Sequence, residues 1–188
     1  NWSITTDDGI NLLDPGTTPH ENIQFLLVLA CILKAVDIHA DLLRESAADV
    51  GNDHRLGANE APPAIISVFL GEQLQDVVEQ LLSTGEATHS KEGGKLETGV
   101  KTLPDLTKDA TDRNRTSPFA FTGNKFEFRM VGSKDSIAAP NTVLNTIVAE
   151  AFSDACDVLE KADDFDMAVH DLIKTYLTEH QRIIFNGN

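Results

Sequence analysis

The chain is poor in positive charge: 15 Lys and Arg stand against 30 Asp and Glu in 188 residues, a formal charge of −15. A protein that grips nucleic acid has to neutralise phosphates with clustered Lys and Arg, and a surface this acidic repels a polyanion over most of its area. Nucleic acid and anionic membrane surfaces are therefore excluded as partners. Long hydrophobic runs are missing as well. The longest, Phe25 to Leu33, has nine residues, whereas a helix needs about 20 to cross a bilayer, and it lacks the basic flank and small-residue cleavage site of a secretory signal. No membrane span is expected. With only 2 cysteines, Cys31 and Cys156, there is no disulfide framework. Both read as small buried hydrophobes in helices, which points to a reducing, cytoplasmic compartment.

What is present is a globular composition, 41% hydrophobic and 24% charged, with a length that favours one domain at about 150 residues each. The first residue is Asn1 rather than Met, which suggests a piece of a longer product. Residues 17–51 read as one long helix, with Thr18 as N-cap, Pro19 at the first helical position, Glu21 completing a capping box and Gly51 past the end. Its Phe25 to Leu33 stretch is apolar on all sides, so more than one face is buried. Residues 52–63 have no period and read as a loop. Ala64 to Leu70 is a short apolar run suited to a buried strand, and Gly71 to Gly85 a helix with Leu74, Val77, Val78 and Leu81 on one face. A polar stretch over 84–111 has no sustained period and reads as an exposed insertion.

After it, Phe119 and Phe121, then Gly123-Asn124, then Phe126, Phe128 and Met130 give a β-hairpin signal. Two amphipathic helices follow, Asn141 to Lys161 and Asp164 to about Phe185, paired over the strands.

Three places could carry chemistry. In Phe126-Glu127-Phe128-Arg129-Met130 the strand period of two puts Glu127 and Arg129 on the face opposite the apolar residues, about 7 Å apart. A carboxylate beside a guanidinium on a rigid strand can hold a cation next to an anion; a solvent-facing ion pair would have the same spacing. His54, Arg55 and Glu60 lie in one loop pinned by Pro62-Pro63, and functional residues concentrate in such loops. Asp112 to Ser117 brings Arg113 and Arg115 to the first hairpin strand, where Arg suits multidentate capture of phosphate oxygens. Gly94-Lys95 is followed by Leu96, so it does not complete a phosphate-binding loop.

These places, NDHRLGANEAPPAIIS at 52–67, DRNRTSPFAFTGNKFEFRMVGS at 112–133 and IAAPNTVLNTIVAEA at 137–151, resemble glutamine synthetase, specifically its large bacterial type III form. Phe119-Ala120-Phe121 and the insertion over 84–111 follow the type III pattern. The resemblance implies an α+β fold, with strands of a distorted antiparallel β-barrel wrapped by long helices. It makes residues 1–188 an interior-to-C-terminal portion of the catalytic region, without the N-terminal β-grasp domain and the upstream metal ligands. It also implies ATP-dependent joining of L-glutamate and ammonia through γ-glutamyl phosphate, with Mg²⁺ or Mn²⁺, in a dodecamer of two stacked hexameric rings. Carried over by position, Glu127 matches a carboxylate ligand of the metal on the nucleotide phosphates. Arg129 matches an arginine on the transferred phosphoryl and the substrate carboxylate. Arg55 matches the arginine holding glutamate, and Glu60 the flap glutamate that helps deprotonate ammonium. Arg115 matches an arginine supporting the phosphoryl in transfer, while Lys125 and Ser3 fall at nucleotide-side positions. Two other readings stay open: a non-catalytic assembly or regulatory module of the same fold, and a γ-glutamyl-amine ligase with another amine acceptor.

Overall fold

A helix that is apolar on every side must be enclosed on several sides, and the rest of the chain is laid out around one such helix. The computed structural model describes residues 1–58, 61–91, 95–96, 106–107 and 117–185. In it α1, Ile23–Ile38, buries Phe25, Leu26, Val28 to Leu33, Ala35 and Val36. The long helices α5 (Ala138–Leu159) and α6 (Phe165–His180) pack along α1. They present the expected faces, Leu144, Ile147, Val148, Ala151 and Ala155 on α5 and Val169, Leu172, Ile173, Tyr176 and Leu177 on α6. The helical pair therefore closes mainly on α1 rather than over the strands. Lys34 pins all three helices, its Nζ donating to Asp154 Oδ2 of α5 at 2.7 Å and to Tyr176 Oη of α6 at 3.2 Å. Burial works to lower the pKa of that ammonium, but the two hydrogen bonds and the charge interactions with Asp154 and Tyr176 together outweigh it and hold the group above its ordinary value.

One helix over 17–51 does not form, and local side-chain caps are the reason. Asn22, not Thr18, caps α1: its Oδ1 accepts from the Phe25 amide at 3.0 Å, which satisfies a first-turn donor. The residues before it close turns instead, Glu21 N donating to Thr18 O at 3.0 Å. At His39 the backbone leaves the helix, with φ −110° and ψ 30°, and the ring Nε2 lies 3.0 Å from Glu150 Oε2 of α5. A short α2, Ala40–Glu45, follows. Asp49 then starts a new helix, α3, Val50–Arg55, by accepting from the Gly51 amide at 2.9 Å. Gly51 thus lies inside a helix, and residues 52–55, expected as loop, are its last turn.

The strands are β1 (Val68–Phe69), β4 (Phe119–Phe121) and β5 (Phe126–Phe128), in the order β1-β4-β5, with β1 parallel to β4 and β4 antiparallel to β5. The β4–β5 hairpin is the one expected, and Gly123 at φ 88° supplies the left-handed turn residue. Its inner face is aromatic: Phe119 stacks on Phe126 with ring centroids 4.5 Å apart, and Phe121 meets Phe25 of α1 at 5.9 Å. The expected strand over 64–70 shortens to Val68–Phe69, since Ala64 and Ile65 form a bend that leaves Ile65 exposed. Trp2 extends the sheet along β5 through N–H to Phe126 O at 2.8 Å and the reciprocal bond at 2.9 Å. Closing a barrel takes about eight strands; among the described residues the sheet stays open, so the fold is a small mixed sheet wrapped by long helices.

Helix α4, Glu72–Thr84, buries Leu74, Val77, Val78 and Leu81 and ends at Gly85, φ 85°. The chain then doubles back along it, with Gln80 Nε2 donating to His89 O at 2.9 Å and Lys91 Nζ 3.2 Å from Asp76 Oδ1. Beyond this, residues 92–111, the rest of the stretch expected as an insertion over 84–111, show one short antiparallel pair, β2 (Lys95–Leu96) with β3 (Leu106–Thr107); 92–94, 97–105 and 108–111 lie outside the described residues.

The cysteines differ from each other. Cys31 is buried, and burial pushes its thiol up to about 12. Cys156 is exposed, contrary to the expectation that both are buried, because it sits next to Ala155 on α5 but off the face that Ala155 turns to the core. Two outcomes follow. A thiol reagent at neutral pH should modify Cys156 and reach Cys31 only after unfolding, as peptide mapping would read. Truncating Phe119, 0% exposed, to alanine should cost about 3–5 kcal/mol in urea unfolding followed by Trp2 fluorescence.

Candidate functional site

The outer face of β5 carries the charged groups. Strand alternation sends Phe126 and Phe128 into the aromatic cluster and Glu127 and Arg129 to the opposite side. There Arg129 Nε donates to Glu127 Oε2 at 3.2 Å. The expected pair therefore shares a face, and its side chains reach across the expected gap to bond each other directly. The Arg129 side chain is 16% exposed and that of Glu127 37% exposed, so the carboxylate is the more accessible partner. Ala120 lies opposite Glu127 in the β4–β5 register and is buried.

The N-terminal segment completes this face. The antiparallel bridge between Trp2 and Phe126 sets Ser3 across from Lys125. Ser3 is exposed, and Lys125 is half-buried with its Nζ donating to Asn124 Oδ1 at 3.3 Å. Ser3 and Lys125 thus stand at one end of β5, Glu127 in its middle and Arg129 at the other end.

Arg55 arrives at that far end from α3. Its Nη2 donates to Met130 O at 2.9 Å and its Nε to Asn52 Oδ1 at 3.0 Å. Asn52 Nδ2 also donates to Met130 O, at 2.7 Å, and to Ala47 O, at 2.7 Å. The carbonyl one residue beyond Arg129 therefore anchors both the asparagine and the arginine of α3. Asn52 escapes a reading of the sequence for chemical side chains. The signal that could have found it is its place three residues before Arg55, on the same helix face. His54, in the same turn, is exposed. Glu60, Arg113 and Arg115 lie outside the described residues.

The described residues contain no group of three or more His, Cys, Asp and Glu able to hold a metal ion. Glu127 by itself suits one corner of a site for a hard divalent cation, since a carboxylate that accepts one guanidinium N–H keeps lone pairs for another partner. The arrangement can place a cation on Glu127 next to anions gathered by Arg129 and Arg55.

No protein-family model matches the chain. It is 51% identical over its full length to "Type-3 glutamine synthetase" of Dictyostelium discoideum. It is 48% identical to "Glutamine synthetase" of Butyrivibrio fibrisolvens and 43% identical to "Glutamine synthetase" of Bacteroides fragilis (strain YCH46), again along its whole length. The chain spans only 26% to 27% of the length of these relatives. At such identity from end to end, the chain is a homologue of the glutamine synthetase family, the type-3 enzyme included.

Proposed function

We propose that this chain is part of a glutamine synthetase subunit and supplies part of the site that joins ammonia to L-glutamate with ATP, through γ-glutamyl phosphate, to give L-glutamine. The observation that carries the reading is the outer face of β5, where Glu127 and Arg129 stand bonded at 3.2 Å while Arg55 is fixed to the next carbonyl at 2.9 Å. Phosphoryl transfer asks mostly for positioning and charge neutralisation. The order along the strand suits that demand: Ser3 and Lys125 on the nucleotide side, Glu127 at the phosphates, and Arg129 with Arg55 on the glutamate side. At about 3.3 Å per residue, Lys125 and Arg129 are about 13 Å apart along the strand, room for a polyphosphate tail in line with a small amino acid.

In this reading Glu127 gives one oxygen ligand to Mg²⁺ or Mn²⁺, which when bound neutralises charge on the nucleotide phosphates. The remaining ligands come from other parts of the subunit. Arg129 spans the transferred phosphoryl and the substrate carboxylate, Arg55 holds glutamate, and Arg115 supports the phosphoryl as it moves. Glu60 takes a proton from ammonium, the role its matching position implies, and excluding water protects the acyl phosphate from hydrolysis. The same reading makes residues 1–188 part of the catalytic region, with 84–111 an insertion, in a cytoplasmic homo-oligomer arranged as a dodecamer of two stacked hexameric rings.

The test is ATP- and ammonia-dependent glutamine formation by the full-length subunit. Replacing Glu127 with alanine should lower kcat by about 10²-fold or more, the scale set by removing one preorganised charge-stabilising group. Activity that survives Glu127→Ala would sink the site assignment. The 188-residue chain alone should be inactive, because one carboxylate cannot assemble a multi-metal site, and glutamine formed by it alone would overturn the partial-site reading.

A further inference from the structure

We infer that Asn52 is the positioning residue of this site: it sets the orientation of Arg55, and thereby where a substrate carboxylate is held relative to Glu127 and Arg129. This rests on the glutamine synthetase reading and adds to it a residue that does not itself touch substrate.

Asn52 is 5% exposed, and both polar atoms of its amide group are engaged, in three hydrogen bonds. Nδ2 donates to Ala47 O and Met130 O, each at 2.7 Å, and Oδ1 accepts from Arg55 Nε at 3.0 Å. The amide can sit only one way round, since the reverse orientation would set its oxygen against two carbonyl oxygens and its N–H groups against a guanidinium N–H. The backbone closes over it from the other side. A Cβ added at Gly132 would come 3.4 Å from Asn52 Oδ1 and would also collide with the Asp135 carboxylate, which accepts from the Gly132 amide at 3.0 Å. The asparagine is therefore clamped between the turn before α3, at Ala47, and the turn that follows β5, at Met130.

The consequence falls on Arg55. A guanidinium is a planar fork, and two of its edges are committed here: Nε to Asn52 and Nη2 to Met130 O. The Nη1 edge has no partner among the described residues, and with the plane fixed at two points it can face in only one direction. Both anchoring atoms are neutral oxygens, so the arginine is oriented without its charge being cancelled. Met130 O belongs to the residue after Arg129, and this ties the direction of the Nη1 edge to the strand that carries Glu127 and Arg129. Without Asn52, Arg55 would keep one anchor and could swing about it.

The experiment is steady-state kinetics on the full-length subunit, varying glutamate and ATP separately, for Asn52→Ala, Asn52→Asp, Arg55→Lys and the double variants. Asn52→Ala should raise KM for glutamate by about tenfold or more and change KM for ATP by less than about twofold, the pattern of a misplaced substrate-holding group. In the Arg55→Lys background, which has no Nε–H fork to orient, the same substitution should have almost no further effect on KM for glutamate. Asn52→Asp keeps the shape and the acceptor for Arg55 but turns a carboxylate oxygen toward two carbonyls, and should also raise KM for glutamate. Additive effects of the Asn52 and Arg55 substitutions would overturn the inference, as would equal changes in both KM values, and so would failure of both Asn52 variants to assemble, since the residue would then be structural only. An unsubstituted subunit that forms no glutamine would instead overturn the synthetase reading itself.

Discussion

Helix α1 has no face it can give to water for most of its length, and the other elements can be derived from that constraint. Burying Phe25 through Val36 requires apolar surface on several sides, and a sheet alone covers one. Helices α5 and α6 supply two more, each with its own apolar stripe, and Phe25 reaches the aromatic face of the hairpin at Phe121. A close-packed arrangement of this kind transmits position: a displaced helix would have to repack its neighbours. The ammonium of Lys34, held between Asp154 and Tyr176, is a polar fastening shared by all three helices, and Asp37 of α1 paired with His180 of α6 at 2.7 Å adds another between two of them.

The hairpin is rigid on its inner face and can therefore present chemistry on its outer one. Phe119, Phe121, Phe126 and Phe128 are fixed by ring packing, so the alternation that buries them also fixes Glu127 and Arg129 outward. Strand residues are more exactly placed than loop residues, which suits the carboxylate in the middle of β5; the guanidinium follows directly after the strand, where the Arg129 amide donates to Pro118 O at 2.7 Å. The contribution of α3 is different. It is a short helix that would be marginal alone, and it is held where it is by Asp49 at its start and by the Met130 carbonyl at its end.

What could be read from sequence follows from the range of the interactions concerned. The hairpin was legible because period two and a Gly-Asn turn are local properties, and α4 because Gly85 and a single apolar stripe mark it without outside help. The partition of residues 17–51 into α1, α2 and α3 was not, because it depends on which of several capping side chains wins. Asn22 and Asp49 bond backbone amides directly, and His39 is drawn to Glu150, far away in the chain. Arg55, Glu127 and Arg129 stood out as chemically capable residues, and the fold brings them to one place. Asn52 stayed hidden because half of its meaning lies at Met130, a contact no local pattern encodes. The barrel anticipated from the family resemblance is present only as a small open sheet among the described residues.

The overall charge of −15 contradicts a site for anionic substrates only if charge is averaged over the surface. At short range, what decides is the partner of each cation. Lys34 is bonded to a carboxylate, and Arg44 and Arg182 likewise, to Asp53 and Asp37; their charges are largely spent within the fold. Arg55 is held by an amide oxygen and a peptide oxygen instead. An aspartate at position 52 would hold the guanidinium more strongly and would also neutralise it, whereas asparagine gives direction and leaves the charge to act on a ligand. Arg129 lies between these cases, since its partner Glu127 is the more exposed of the two and is itself suited to a cation. The acidic surface thus coexists with a positive locus because the fold orients that locus with neutral acceptors.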